Sequence, residues 1–221
     1  MAQLAGEALE NRSGIEDLGP AALGRRREES ERRRRSILEA ARRCFGREGY
    51  AGATVARIAE EAQVSNGLLY QFFRNKDHLL EVVLRDVLRD WVRALVPTEA
   101  EAGAPATALE GMLRRSVEFC RGNPLLPALL SSDPALQLQR IRLAGQDRIE
   151  PHRELVAGVL RRGIERGEFR GDLDVPRVAD LICQLQSEYS RRAYAKDPRF
   201  PDDPALIDAA VRFIHDAVRA R

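Results

Sequence analysis

Along most of the chain the apolar positions recur at intervals of three and four residues, and no stretch keeps the clean alternation of a half-buried strand. From Ile37, one helix face is formed by Ile37, Ala40, Ala41, Cys44 and Phe45, and Gly49 in "REGY" supplies a C-terminal stop. Thr54 is placed to cap a second helix whose buried side holds Val55, Ile58, Ala59 and Ala62. Gln63 and Val64 form a turn. Ser65 caps a short third helix anchored by Leu69 and Phe73. Asn75 caps a fourth, with Asp77 in its first turn, running through Leu79, Leu80, Val83, Leu84, Val87, Leu88 and Trp91 to about Leu95. After a loop over 97–105, helices are expected at about 107–121, 124–131, 135–166 with a bend at Pro151, 175–195 and 204–219. Residues 1–24 carry no sustained period and read as a disordered leader, the alternative being a short frayed helix near residues 3–10. The fold class is therefore all-α, with about nine helices.

Composition agrees with this pattern. The chain is 44% hydrophobic and 32% charged but only 5% aromatic, enough for a core and a solvated surface. A net charge of +2 says little, but its distribution says more. Residues 1–24 carry one Arg and four acids, residues 25–95 carry 16 Lys/Arg against 11 Asp/Glu, and the remainder is balanced at 19 each. The basic excess sits in one N-terminal region, as a polyanion-binding module requires. Within it "RRREESERRRR", residues 25–35, holds seven Arg and three Glu. Ser30 is a possible helix cap and Glu31 suits a first turn, but Arg32, Arg33, Arg34 and Arg35 do not suit the positive end of a helix dipole. A solvated charge run is the bland reading, and phosphate contact the functional one. No apolar run is long enough to cross a membrane, and no secretory signal opens the chain, so a cytoplasmic location is expected.

Residues 54–77 carry the chemistry. Two helices joined by a short turn form a helix-turn-helix, whose second helix enters the DNA major groove by its N-terminal residues. That end here is Ser65, Asn66, Gly67 and Leu68. Gly67 lets backbone approach a duplex closely. Asn66 and Gln71 carry the amides that can read adenine. Tyr70 offers a hydroxyl to phosphate, and Lys76 adds charge beside the free N–H groups of the fourth helix. Leu69 and Phe73 anchor a helix too short to stand alone, which leaves Tyr70 and Phe72 near the outer face.

The stretch 32–80 resembles the TetR/AcrR family of one-component transcriptional regulators. The matching positions are Gly49-Tyr50, Thr54, Ile58-Ala59, Ala62, Val64-Ser65, Gly67, Leu69-Tyr70, Phe73, Lys76 and Leu79-Leu80. The resemblance implies an N-terminal three-helix helix-turn-helix domain and a C-terminal helical domain that binds a ligand and dimerises. The expected division is 1–24 leader, 25–78 DNA-binding domain and 79–221 ligand and dimer domain. Four positions depart from the pattern. Gln63 stands where a turn glycine is usual, at about 1 kcal/mol if its φ is positive. Ala56 removes a polar contact, leaving Thr54 or Arg57 to supply it. Leu68 could touch a thymine methyl, and Phe72 offers no phosphate hydrogen bond.

For the C-terminal part, the resemblance implies a cavity among the fourth to eighth helices, with Trp91, Phe119, Cys120, His152, Gln184 and Glu188 as lining candidates and a small apolar or amphipathic effector. For a homodimer interface the helical spacing offers Val178, Ile182, Leu185 and Tyr189 with Leu206, Ala209, Ala210, Phe213 and Ala217. Closure of the chain's own core is the alternative for these faces. The partners expected are double-stranded DNA bearing a pseudo-palindromic operator, a small-molecule effector and a second copy of the chain, with no membrane. No cofactor is expected, and the three histidines lack metal-ligand spacing. Cys44 reads as a core thiol, while Cys120 and Cys183 leave a redox-responsive regulator open. An activator also stays open. A helical enzyme is the different-class rival, without a Gly-rich phosphate loop, nucleophile elbow or paired-carboxylate motif to carry it.

Overall fold

The computed structural model describes residues 20–123, 125, 150–194 and 204–220, and these fold almost wholly as helices. In chain order they are α1 (Pro20–Gly52), α2 (Val55–Glu61), α3 (Asn66–Phe72), α4 (Lys76–Leu95), α5 (Glu99–Ala102), α6 (Pro105–Arg121), α7 (Glu150–Glu165), α8 (Val175–Tyr194) and α9 (Pro204–Val218). Among the described residues the extended pairing is limited to an isolated antiparallel bridge between Phe169 and Arg219.

Three helix starts follow from the side chains just before them. Thr54 Oγ1 accepts the Arg57 N–H at 3.3 Å, Ser65 Oγ the Leu68 N–H at 3.1 Å, and Asn75 Oδ1 the His78 N–H at 2.8 Å. Each satisfies a first-turn donor that has no partner within its helix. Gly49 stops the regular part of α1 with φ 69° and ψ 179°, a conformation essentially closed to other residues. Gln63 takes φ 57° in the turn between α2 and α3, so the chain accepts the cost of a side chain there.

Other boundaries differ from the sequence expectation. The first helix begins at Pro20 rather than at Ser30 or Ile37, so the last residues of the expected leader and the whole arginine run are helical. Proline suits a first helical position because its missing N–H would lack an intrahelical acceptor anyway. Glu28, Glu29 and Glu31 each precede an arginine by four residues, the favourable order on a helix. Residues 97–105 are not all loop: Thr98 and Glu101 form a capping box that starts α5, and Pro105 opens α6. Residues 1–19, the helix expected at 124–131 and the 135–149 part of the long helix lie outside the described residues. The bend expected at Pro151 falls at their edge.

Buried residues form two clusters. Phe45, Ile58, Leu69, Phe73 and Leu80 centre the first, between α1, α2, α3 and the start of α4. Met112, Val156, Leu160, Phe169, Ile182 and Ile214 centre the second, between α6, α7, α8 and α9. α4 runs through both: Leu79 to Val87 belong to the first and Leu95, with Trp91 beside it, to the second. The segment after α7 is clipped to the end of α9, with Arg170 N–H donating to Val218 O at 2.9 Å and Ala220 N–H to Glu168 O at 3.0 Å.

Candidate functional site

The face of α3 away from the core is polar and open. Asn66, Gly67, Tyr70 and Gln71 are exposed, while Leu69 and Phe73 are buried. Tyr70 is 52% exposed, unusual for a large ring in a chain this poor in aromatics. Leu68 is half-buried. A Cβ added at Gly67 would meet nothing nearer than Ser65 Oγ at 3.9 Å. The fold therefore does not require glycine there, and close approach from outside the chain does account for it. Phe72 corrects the expectation: it is half-buried, packs on the first cluster and lies 6.4 Å from the Phe73 ring, so only Tyr70 stays outside.

The neighbouring cations are held in place. Lys76 Nζ donates to Tyr50 O at 2.8 Å and sits 4.1 Å from the centre of the Tyr50 ring. The Tyr50 hydroxyl in turn donates to Asp77, and burial pushes its pKa up to about 12. This fixes the ammonium at the first residue of α4. Thr54 and Arg57 are exposed at the start of α2, and Arg57 pairs with Glu48 at 3.1 Å. On α1, Arg32, Arg33 and Arg35 are exposed, and the Arg34 guanidinium lies 5.8 Å over the Phe73 ring. Ser36 Oγ donates to Ala62 O at 3.3 Å, which seats α1 beside the turn before α3. Behind this surface, Glu61 accepts from the Cys44 thiol at 3.0 Å, from Arg43 at 2.6 Å and from Arg47 at 2.9 Å. Those bonds hold its pKa down to about 2. Cys44 is fully buried, and burial, then Glu61, raises its thiol to about 11, as suits an inert core thiol.

The second cluster contains a buried polar chain. Trp91 Nε1–H donates to Ser116 Oγ at 3.1 Å, and its ring meets His152 edge-on at 4.5 Å. His152 Nε2 lies 2.8 Å from Gln186 Oε1, and Gln186 Nε2 donates to Met112 O at 3.1 Å. A carbonyl only accepts, so the Gln186 amide orientation is set and its oxygen faces the histidine. His152 is thus the Nε2–H tautomer. It is 1% exposed, and burial lowers its pKa to about 4. Trp91 and His152 are brought together as expected. The other lining candidates are not: Phe119 and Cys120 pack with the first cluster, Glu188 is half-buried on α8, and Gln184 is exposed and bonded to Asp180 at 2.7 Å. Gln186, two residues on, is the buried glutamine. The i, i+3, i+4, i+7 series Ala179, Ile182, Cys183, Gln186 carries that signal. A cavity of about 280 Å³ lies elsewhere, between α6 and α9 and beside Phe169, and none of the six candidates lines it. Cys183 is buried, which raises its thiol to about 12. Among the described residues no group of His, Cys, Asp and Glu is placed to hold a metal, and no helix is long and apolar enough to cross a membrane.

The expected interface residues split by face. Leu185, Leu206 and Phe213 are exposed at 40%, 37% and 65%, and Ala209 and Ala217 lie exposed beside them on α9. Ala210 is half-buried. Ile182 corrects the expectation, since it is buried in the chain's own second cluster, and Val178 packs against the same cluster. Both lie on the inward side of α8. The side chain of Tyr189 is outside the described residues. Leu181, 58% exposed, stands outside the expected set and extends the open face of α8.

Residues 37–83 match the family description "Bacterial regulatory proteins, tetR family", and residues 99–214 match "Tetracyclin repressor-like, C-terminal domain". The HTH-type transcriptional repressor KstR2 of Mycobacterium tuberculosis is 31% identical over 152 residues, which are 68% of this chain and 76% of that protein. A TetR transcription regulator from Haloarcula marismortui superposes with a TM-score of 0.68 at 25% identity, over 86% of this chain and 99% of that one. The regulator FadR of Bacillus subtilis, solved in complex with stearoyl-CoA, superposes with a TM-score of 0.64 at 19% identity, over 83% and 98%. The capped helix-turn-helix, the helical part behind it and these likenesses agree: the chain belongs to the tetR family of bacterial regulatory proteins and is a DNA-binding transcriptional regulator.

Proposed function

We propose that the protein is a homodimeric repressor that binds a pseudo-palindromic operator in double-stranded DNA and leaves it when a small apolar or amphipathic effector binds. The observation that carries this reading is the face of α3, where Asn66, Gly67, Tyr70 and Gln71 are exposed while Leu69 and Phe73 fix the helix from behind. Asn66 and Gln71 read base edges, with Leu68 available to a thymine methyl. Ser65, Thr54, Arg57, Tyr70, Lys76 and Arg32 to Arg35 position the domain on phosphates. Residues 25–78 form the DNA-binding part and 79–221 the sensing and dimerising part. α4 starts in the first and ends in the second, so an effector near Trp91 and His152 would tilt the helix that carries Lys76. A coupling of about 1–3 kcal/mol would give a response of roughly 5- to 150-fold. The KstR2 relative is a repressor, which favours repression over activation. Burial of Cys120 and Cys183 argues against a redox trigger.

The test is a salt titration on DNA from upstream of the protein's own gene against random DNA, repeated with long-chain acyl-CoA thioesters as the first probes, because a structural relative was solved with one. Tight, selective, salt-sensitive binding that an effector weakens is the expected result. Equal weak binding to both DNAs under all conditions would remove the operator reading. A tightly bound effector that leaves operator affinity unchanged would remove the release mechanism.

A further inference from the structure

The arginine run is a rigid helix, and its charges are unequally matched. Residues 25–35 hold seven Arg and three Glu, all but half-buried Arg34 exposed. Glu28, Glu29 and Glu31 stand four residues before Arg32, Arg33 and Arg35, the favourable order for ion pairs on a helix, and the Arg33–Glu29 pair is formed. Arg34 is placed over Phe73. Arg25, Arg26 and Arg27 are left. No acid lies in the preceding residues Ala21 to Gly24, and the same three glutamates reach them only in the less favourable order. They also sit toward the positive end of the helix dipole, where cations do not stabilise a helix. Their i, i+7 counterparts are Arg32, Arg33 and Arg34, so the outer cluster repeats the inner one two turns further out.

The direction of this extension is set by its packing. Ser36 bonds Ala62 at the end of α2, next to the turn that leads into Ser65 and the base-reading end of α3. α1 therefore leaves the domain at its DNA-facing edge. From Ser36 back to Arg26 is ten residues, about 15 Å of helix at 1.5 Å per residue, or roughly four base pairs of duplex.

We propose that the N-terminal part of α1 is a fixed outrigger whose Arg25, Arg26 and Arg27 bind duplex DNA phosphates flanking each half-site, about four base pairs beyond the phosphates held near the helix-turn-helix. The partner is the sugar-phosphate backbone of double-stranded DNA, without sequence preference. The proposal rests on the operator-binding reading above and adds to it a second binding zone outside the base-read region.

The experiment compares the full-length protein with Arg25/Arg26/Arg27→Gln and Arg25/Arg26/Arg27→Lys, by salt titration and hydroxyl-radical footprinting on the upstream DNA. The Gln variant is expected to bind operator and random DNA alike about tenfold or more weakly at about 0.1 M salt, with the salt slope falling by about 0.9 for each phosphate no longer neutralised. Its footprint should shorten at both outer edges and keep its centre, while the Lys variant keeps slope and edges. Glutamine is a good helix former, so circular dichroism and melting temperature should hold, which separates weakened DNA binding from a damaged fold. Unchanged slope and footprint in the Gln variant would overturn the outrigger while leaving the operator reading intact. A wild-type protein without operator preference would overturn the operator reading instead.

Discussion

At the scale of single residues, the most informative positions are those the fold leaves unexplained. Gly67 has free space around its missing Cβ and lies inside a helix, where glycine costs about 0.5–1 kcal/mol relative to alanine. Gly67→Ala should therefore leave stability unchanged or raise it by up to about that amount, while weakening operator binding tenfold or more, roughly 1.4 kcal/mol, if backbone and duplex touch there. Denaturant melts and a DNA titration on the same preparation check both halves, and undiminished binding would show that nothing approaches Gly67 closely. His152 makes the opposite kind of prediction. Its pKa is about 4 in the folded chain, against about 6.5 ordinarily. Between those values the unfolded chain binds more protons, so stability is full above pH about 6.5 and falls as the pH drops toward 4. The slope approaches about 1.4 kcal/mol per pH unit. Urea melts from pH 4.5 to 7 should show this loss in the wild type, and His152→Gln should flatten it. An equal slope in the variant would assign the effect to other groups.

At the scale of elements, the helix-turn-helix is legible in the sequence because its determinants are local. Thr54, Ser65 and Asn75 each cap a helix from the residue before it, and Gly49 ends α1 through its own φ. The start of α1 escapes the periodic pattern because the residues described before Ile37 bury no side chain fully, so no apolar period marks them. Pro20 and the Glu-to-Arg spacing are the signals that remain. Gln184 and Gln186 are hard to tell apart because which face of α8 turns inward depends on α6 and α7, which no local pattern names. On α3 the division of labour is testable. Tyr70→Ala and Lys76→Ala should weaken binding to all sequences alike, by about 1–2 kcal/mol for each charge-assisted hydrogen bond removed, whereas Gln71→Ala should change which bases are preferred, at about 1–3 kcal/mol per misread pair. Selection of binding sites from random DNA measures the second effect and competition with random duplex the first. Unchanged preference in the Gln71 variant would take it out of the reading set. Lys76 has a structural duty as well, through Tyr50 O, so its variant is to be compared with Tyr70→Ala at matched stability.

At the scale of the whole molecule, one recognition helix is not enough for a regulator. A helix-turn-helix reads a few base pairs, and selectivity follows when two are held about one duplex turn apart, or a multiple of it. The outward faces of α8 and α9 are suited to hold them. Leu181, Leu185, Leu206 and Phe213 are exposed together with Ala209 and Ala217, and small residues let helices approach closely. Exposed apolar side chains gathered on two helices are more than a monomer ordinarily leaves in water. Phe213, at 65% exposure, adds little to the chain's own core, so a charge there should spare the fold and prevent the pairing. Phe213→Glu is expected to sediment as a folded monomer at micromolar concentration. Its operator affinity should fall by about 10²–10⁴-fold, the loss when a second binding event is no longer linked to the first. Binding to an isolated half-site should be nearly unchanged, because α3 is untouched. A Phe213→Glu protein that stays dimeric and keeps its operator affinity would place the interface on another face. A monomer with intact operator affinity would show that α3 and the arginines of α1 suffice without a second copy.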